Sequence, residues 1–521
     1  MKLDRRKHIR VFFVLMLALS LLSNVALLRS SNQFNLDSLK WAIKSQFVNY
    51  QEFKDGKIPL LKLPNGAIDY SNFLNTSQDD RQIDLIKSVG SNFSIFGLGN
   101  GVGYSGLPKG LPDEIAKCAV KLGLNENLYF ADKGKFRGET AFVFYQSDLT
   151  TISLEGSLLS GKKCEVKGRY KLQKSGTAWM LSEKINFDLS ANQLPARFAI
   201  GKDNSIVLVT RLGEICQVTA ASAMDPILAC QKTSIDFTKS KKNTNHGVKS
   251  ILLNGKQLFV AYAVNDSNCN RLEIKRITLS KNYSTEISHQ DIYTSPGCLD
   301  PETTNLNGIG GRMIFSNGAK TEIIFSLGNA EIWTGMEVIK PKREYGTLLK
   351  LDLKSESITT MSTGHRNPQG LCLMGDQLFS SEQGPDGGDE LNQIKVGKDY
   401  GWPLESYGMP YGDFAPTGTK SGAFASHNNS EKPLLSWVPA IAAGDLLCPN
   451  NAMRGAWSKS FLLATLKDSS IRRIVLDKGA IRVDERIPLG SRIRDISVNN
   501  KGQMIALTDE GSLIQIKLID R

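Results

Sequence analysis

The chain is 521 residues long, 41% hydrophobic and 22% charged, with 46 Gly and only 18 Pro. That composition excludes a disordered, collagen-like or low-complexity protein and leaves room for a large core. A formal net charge of +12 calls for an acidic partner, so its distribution along the chain matters.

The first element read along the chain is an anchor. Lys2, Arg5, Arg6, Lys7 and Arg10 stand against Asp4, and residues 11–28 then carry no charge before Arg29. About 20 apolar residues span a bilayer, so this run is just long enough with its flanking cations snorkelling. A cleaved signal peptide would have a shorter apolar region and a small-x-small site, which Ser23-Asn24-Val25-Ala26 imitates poorly. Residues 1–29 therefore read as a cytoplasmic tail and a single-pass transmembrane signal anchor held in membrane lipid. The basic flank puts the N-terminus in the cytoplasm and the remaining bulk outside it. The rest of the positive charge is dispersed. Its densest pieces, Arg472-Arg473 and Lys239, Lys241 and Lys242, read as turn or strand-edge charges, so nucleic acid is set aside as a partner. Eight cysteines without a C-x-x-C fit an oxidising compartment and give no support to a zinc site. Cys216 and Cys230 flank a short strand connection, and Cys269 and Cys298 are similarly close. Spacing does not fix the pairing, and buried free thiols remain the alternative.

Residues 30–192 read as a small α+β domain. Leu111-Pro112-Asp113-Glu114 opens a helix, with Ile115, Ala116, Ala119, Val120 and Leu122 at helical spacing behind it. Strand-like stretches follow at 128–131, 140–145, 151–158, 168–172 and 178–189, which predicts an antiparallel sheet. Nothing in this region carries recognisable chemistry.

From 193 to 521 the text changes to short strands separated by Gly, Asn and Asp turns. Six units begin near Phe198, Val248, Gly311, Gly370, Met453 and Arg494. Several strands repeated every ~40 to 60 residues predict an all-β fold, a six-bladed β-propeller with a ligand site at its channel mouth. An irregular double sandwich is the alternative.

The chemistry-bearing text lies between 364 and 403: Gly364-His365-Arg366-Asn367-Pro368-Gln369-Gly370, then Glu382-Gln383-Gly384-Pro385-Asp386-Gly387-Gly388-Asp389-Glu390-Leu391-Asn392, then Tyr400-Gly401-Trp402-Pro403. An Arg-Asn pair can present a planar cation and an amide to a flat anion. A Gly-rich loop dense in carboxylates and carbonyls suits Ca²⁺, which takes oxygen ligands, or is simply a solvated acidic turn. In combination, and with Lys467, Arg492 and Arg494 further on, these strings resemble the soluble pyrroloquinoline-quinone-dependent glucose dehydrogenases, the glucose/sorbosone or aldose sugar dehydrogenase family.

That resemblance implies a six-bladed propeller that oxidises a sugar hydroxyl and passes the electrons to an acceptor. By position, Arg366 and Asn367 would contact the quinone, and Lys467, Arg492 and Arg494 would hold its carboxylates. Gly384 and Pro385 would offer backbone carbonyls to an active-site Ca²⁺, while Glu390 and Tyr400 resemble ligands of separate structural calcium sites. The family's catalytic His belongs to an H-x-G-G-R string, and the Asp that orients it closes the next strand pair. This chain departs at both places. Its string is Gly308-Ile309-Gly310-Gly311-Arg312, and the strand pair 313–315 and 322–327 ends in Gly328-Asn329. Trp437-Val438-Pro439-Ala440 also lacks the family's usual hydroxyl residue after the Pro. His365 reads as structural, and His289, in a loop before the third unit, is the nearest thing to a substitute base, with Glu331 or a water as another route. Two readings survive. One is a sugar dehydrogenase whose catalytic pair is replaced by Gly308 and Asn329. The other is an inactive propeller that binds calcium, quinone or a partner.

Overall fold

The computed structural model describes residues 68–69, 82–83 and, from 112 to 519, all residues except 125–127, 137–138, 149–152, 161–163, 176–177, 188, 221–225, 238–244, 267–268, 302–303, 331–344, 409–426, 450–452, 454–456 and 501. The anchor expected at 11–28 and the candidate Glu331 lie outside the described residues. Among the described residues no helix is long and apolar enough to cross a membrane.

The helix expected after Leu111 runs Asp113–Lys121, entered through Pro112, with Asp113 and Glu114 in its first turn and Lys121 in its last. These charges complement the helix dipole. Ile115, Cys118 and Ala119 form its buried stripe and meet Phe142, Phe144 and Leu159 of the sheet. Five antiparallel strands follow as a meander: Leu128–Phe136, Glu139–Asp148, Ser153–Ser160, Val166–Ser175 and Ala178–Asn186.

Beyond residue 192 the chain forms a propeller, and the expectation of six separate blades is corrected. Five separate four-stranded antiparallel sheets are present, spanning Arg197–Gln231, Gly247–Thr294, Gly310–Ser362, Pro368–Trp437 and Ala443–Pro488. Among the described residues the sixth unit contributes three strands, Ile493–Val498, Met504–Thr508 and Ser512–Ile519. Its open edge is paired along its length with Ala178–Asn186, so the unit and the N-terminal meander form one eight-stranded sheet. An unpaired edge here would be a template for aggregation, which the borrowed strand removes. The core is not central. Each neighbouring pair of sheets shares its own apolar cluster, and the last cluster packs Ile185, Ile505 and Leu513 against Phe198 and Leu208 of blade one.

The fifth unit also begins earlier than expected, at Ala443 rather than Met453. Its inner strand, Ala443–Leu447, contains Gly444 and Asp445 and so reads as loop in the sequence. The reason is shared by most inner strands. Pairing with the second strand breaks at Val248/Ser250, Gly310/Met313, Pro368/Gly370, Ala443/Leu446 and Ile493/Asp495. Such a bulge frees a residue from the ladder and re-aims its side chain. It releases Lys249, Arg312, Gln369, Asp445 and Arg494 at equivalent places. In blade three the two residues before Arg312, Gly310 and Gly311, have φ of 74° and 93°. A Cβ on Gly311 would come within 2.7 Å of the Lys249 side chain, so this crossing requires glycine.

Candidate functional site

Strand direction puts the candidate residues on one face. The inner strands start where the second strands end: Gly310 pairs with Leu327, Pro368 with Glu382, Ala443 with Thr465 and Ile493 with Thr508. The segments just before the inner strands and just after the second strands therefore open together. They carry Gly308, Asn329, Arg366, Asn367, Gly384, Pro385, Lys467 and Arg492, and the bulge at Ile493/Asp495 adds Arg494 from within the inner strand.

Behind that face the channel is filled by an ion network. Arg312 Nη2 donates to Asp495 Oδ1 at 2.6 Å, its Nη1 lies 3.4 Å from Asp445 Oδ1, and its Nε donates to the Gln369 carbonyl at 2.7 Å. Burial pushes the Asp445 carboxyl up to about 6, with Arg312 opposing and Asp495 adding to the rise. From this base a chain of amides climbs to the face. Gln369 Nε2 donates to Asn367 Oδ1 at 2.7 Å, Asn367 Nδ2 to Gln383 Oε1 at 3.2 Å, and Gln383 Nε2 to the Ala443 carbonyl at 2.9 Å.

Arg366 is 3% exposed. Its Nη1 donates to the carbonyls of Gln383 at 2.9 Å and Gly384 at 2.8 Å, and its guanidinium lies 5.4 Å from the centre of the Trp402 ring. The Gly384 loop is pinned from below by Asp389. That buried carboxylate accepts from the backbone N–H of Gly384, Ile441 and Ala443, each at 3.0 Å. Burial raises its pKa, and those donors oppose the rise. A Cβ on Gly384 would overlap the carbonyl oxygens of Gly387 and Gly388, so the loop gathers oxygens at a spacing that only glycine permits.

Gly308 and Asn329 lie close together. Ala330 N donates to the Gly308 carbonyl at 3.0 Å, and Asn329 N donates to the Arg366 carbonyl at 2.9 Å. Both residues are buried, and no imidazole or carboxylate stands at either position. Arg492 and Arg494 converge on Asp509, which sequence reasoning did not pick out. Arg494 grips it with two bonds of 2.6 and 3.0 Å, and Arg492 Nε adds one of 3.0 Å. Lys467 is exposed, and its backbone N–H donates to the Ile441 carbonyl at 3.0 Å, beside the segment that Asp389 holds.

Glu390 and Tyr400 are placed differently. His427 Nε2 lies 3.1 Å from Glu390 Oε1, and Asn392 Nδ2 donates to Glu390 Oε2 at 3.1 Å. Burial works against a charge on His427, but the hydrogen bond and the field of Glu390, Glu405 and Glu382 hold its pKa above the ordinary imidazole value. The Tyr400 hydroxyl donates to the Gln393 carbonyl at 2.6 Å and accepts from Lys395 N at 2.8 Å. An imidazole thus faces Glu390, and the Tyr400 hydroxyl closes its own loop. Among the described residues no group of three or more His, Cys, Asp or Glu side chains is gathered as a metal cage.

Neither His365 nor His289 is placed as a base for this site. His365 is structural, as expected: it bonds Ser362 Oγ at 2.8 Å and Glu382 Oε1 at 3.0 Å and stacks on Tyr400. The Ser-His-Glu order resembles a hydrolytic triad. At 1%, 0% and 4% exposure, however, no substrate reaches it. His289, read as loop, lies on the outer strand Glu286–Thr294 of blade two, where it pairs with Ile277. That correction removes it as a substitute base. All eight cysteines are paired, as Cys118–Cys164, Cys216–Cys230, Cys269–Cys298 and Cys372–Cys448.

The comparisons with known proteins agree with this architecture. The chain is 29% identical over 239 residues to aldose sugar dehydrogenase YliI of Escherichia coli, covering 42% of this chain and 62% of that one. It is 27% identical over 205 residues to quinoprotein glucose dehydrogenase B of Acinetobacter calcoaceticus, 29% of this chain and 43% of that one. An uncharacterized Synechocystis protein, slr1608, is 35% identical over 161 residues, 30% of this chain and 38% of the relative. The chain thus spans less than two thirds of each of these curated relatives. The solved soluble aldose sugar dehydrogenase of Escherichia coli shares the fold with a TM-score of 0.53 at 21% identity, over 63% of this chain and 96% of that one. A family model described as Glucose / Sorbosone dehydrogenase matches residues 192–515, more than half of the sequence. The chain belongs to the glucose/sorbosone dehydrogenase family.

Proposed function

We propose that the protein is a membrane-anchored quinone-dependent sugar dehydrogenase, oxidising an aldose hydroxyl outside the cytoplasm with pyrroloquinoline quinone as cofactor. The observation that carries this reading is the Arg366–Gln383–Gly384 cluster, a buried guanidinium fixed against two carbonyls on the face that also bears Lys467, Arg492 and Arg494. When bound, the quinone supplies a two-electron acceptor. Arg366, 3% exposed and held by Trp402 and the loop carbonyls, would contribute its fixed positive charge from beneath the loop rather than by open contact. Asn367, 2% exposed, is held beside it between Gln369 and Gln383 and would shape the floor under the cofactor. Arg492 and Arg494 share one carboxylate, Asp509, so this corner keeps surplus positive charge for a tricarboxylate. The carbonyls of Gly384 and Pro385 would face Ca²⁺ as hard oxygen donors.

Proton removal is the weak part of this site. Gly308 has no side chain to accept the hydroxyl proton, and losing a general base costs roughly 10²–10⁴-fold. Asn329 and Gly308 therefore favour a second reading, a propeller that binds quinone or calcium and turns over slowly or not at all. The anchor at 11–28 would hold either form to lipid with the bulk extracytoplasmic. Four disulfides support an oxidising compartment. The test is dye reduction by the full chain with pyrroloquinoline quinone, Ca²⁺ and a panel of aldoses. The dehydrogenase reading expects slow sugar-dependent reduction that rises by roughly 10²–10⁴-fold in a Gly308→His/Asn329→Asp variant. Reduction by neither protein would overturn it.

A further inference from the structure

On the face opposite the site, a cavity of about 580 Å³ opens between blades two and three. Its walls include Asn254, which ends one inner strand, Gln257, which opens the next strand, and the turn residues Lys320 and Leu353 of blade three. These are the strand ends remote from Gly247 and Gly310, so the cavity is separate from the quinone face. Its size lies within the ~300–1,000 Å³ usual for small-molecule sites.

The lining is one-sided in charge. It contains Arg276, Lys320 and Lys354 and no carboxylate, over an apolar floor of Phe259 and Leu353. None of the three cations makes an ion pair with a described carboxylate. The Arg276 guanidinium is met by the neutral Gln290 amide oxygen, and the Lys320 ammonium lies 5.2 Å from the centre of the Phe315 ring. Nearby carboxylates stand outside the lining. Asp352 accepts from Lys354 N, Ser355 N and Ser355 Oγ within its own turn, and Glu356 accepts from Gln290 Nε2 at 2.7 Å. Glu286 is bonded to His289 Nδ1 at 2.6 Å, and Glu322 accepts from Ser316 Oγ at 2.7 Å. Three cations and no carboxylate in the lining, over an apolar floor, favour an anion there; Lys354 also acts on Asp352, which with Glu286, Glu322 and Glu356 keeps its charge outside the lining.

We propose that this cavity is a second binding site, taking a small organic anion with two or more negative charges whose apolar body rests on Phe259 and Leu353. Carboxylate and phosphate ligands share that chemistry, so citrate and pyrophosphate serve as separate probes in isothermal titration of the full chain at low salt. The expected result is saturable binding that weakens with added NaCl and falls by roughly tenfold or more in an Arg276→Gln/Lys354→Gln variant. It should persist in a Lys467→Gln/Arg492→Gln variant altered on the other face. The tighter probe assigns the ligand as carboxylate or phosphate. Binding that survives Arg276→Gln/Lys354→Gln, or is lost only in Lys467→Gln/Arg492→Gln, would overturn the proposal, as would no saturable binding of either probe.

Discussion

Asp509 shows how the site's electrostatics are balanced at the scale of single residues. Burial alone would raise its pKa, but Arg494 and Arg492 more than offset this and hold it below the ordinary 3.8. A depressed carboxyl contributes stability that is present above the unfolded value and lost as pH falls through the folded one. The melting-temperature gap between wild type and Asp509→Asn should therefore be widest above about pH 4 and close as pH falls below it. A gap that stays constant with pH would refute this role. Arg366, Asn367, Arg492 and Arg494 were legible in the sequence because each sits in a distinctive short string. Asp389 and Trp402 stood in the strings between 364 and 403 and Asp509 outside them, and the role of each depends on what folds against it. Asp389 is bonded to Ile441 and Ala443, more than 50 residues away along the chain.

Among the elements, the strand Ala178–Asn186 decides whether the propeller closes. Its partner Ser512–Ile519 is the last described strand, and Ser512 Oγ donates to Asn186 Oδ1 across 326 residues of sequence at 2.7 Å. Met180 and Ile185 are buried in the clusters that seal the sixth unit against its neighbours. A variant starting at residue 190 should be poorly soluble or melt well below the full chain, because it exposes a long edge strand and opens two apolar clusters. Equal solubility and melting of the two proteins would contradict this. Local alternation and turn residues revealed the strands themselves, and the helix at 113–121 followed from its Pro and early acids. Long-range pairing leaves no local trace, so the borrowed strand was not legible. The inner strand Ala443–Leu447 was missed because its channel-facing bulge carries Gly444 and Asp445 where a core strand would be apolar.

Over the whole molecule, the ring of sheets separates two faces with different chemistry. One gathers Arg366, Asn367, Gly384, Lys467, Arg492 and Arg494 around the filled channel, and the other carries the cationic cavity between blades two and three. Part of the net charge of +12 lies in Lys2, Arg5, Arg6, Lys7 and Arg10, and the rest is dispersed along the chain. We propose that the first face holds a quinone although Gly308 and Asn329 stand where the resemblance implies a catalytic pair. Equilibrium titration of the full chain with pyrroloquinoline quinone and Ca²⁺, followed by quenching of tryptophan fluorescence, tests it most directly. The account predicts saturable one-to-one binding, weakened by roughly tenfold or more in Lys467→Gln/Arg492→Gln and unchanged in Arg276→Gln/Lys354→Gln. No saturable binding, or binding indifferent to Lys467 and Arg492, would contradict it.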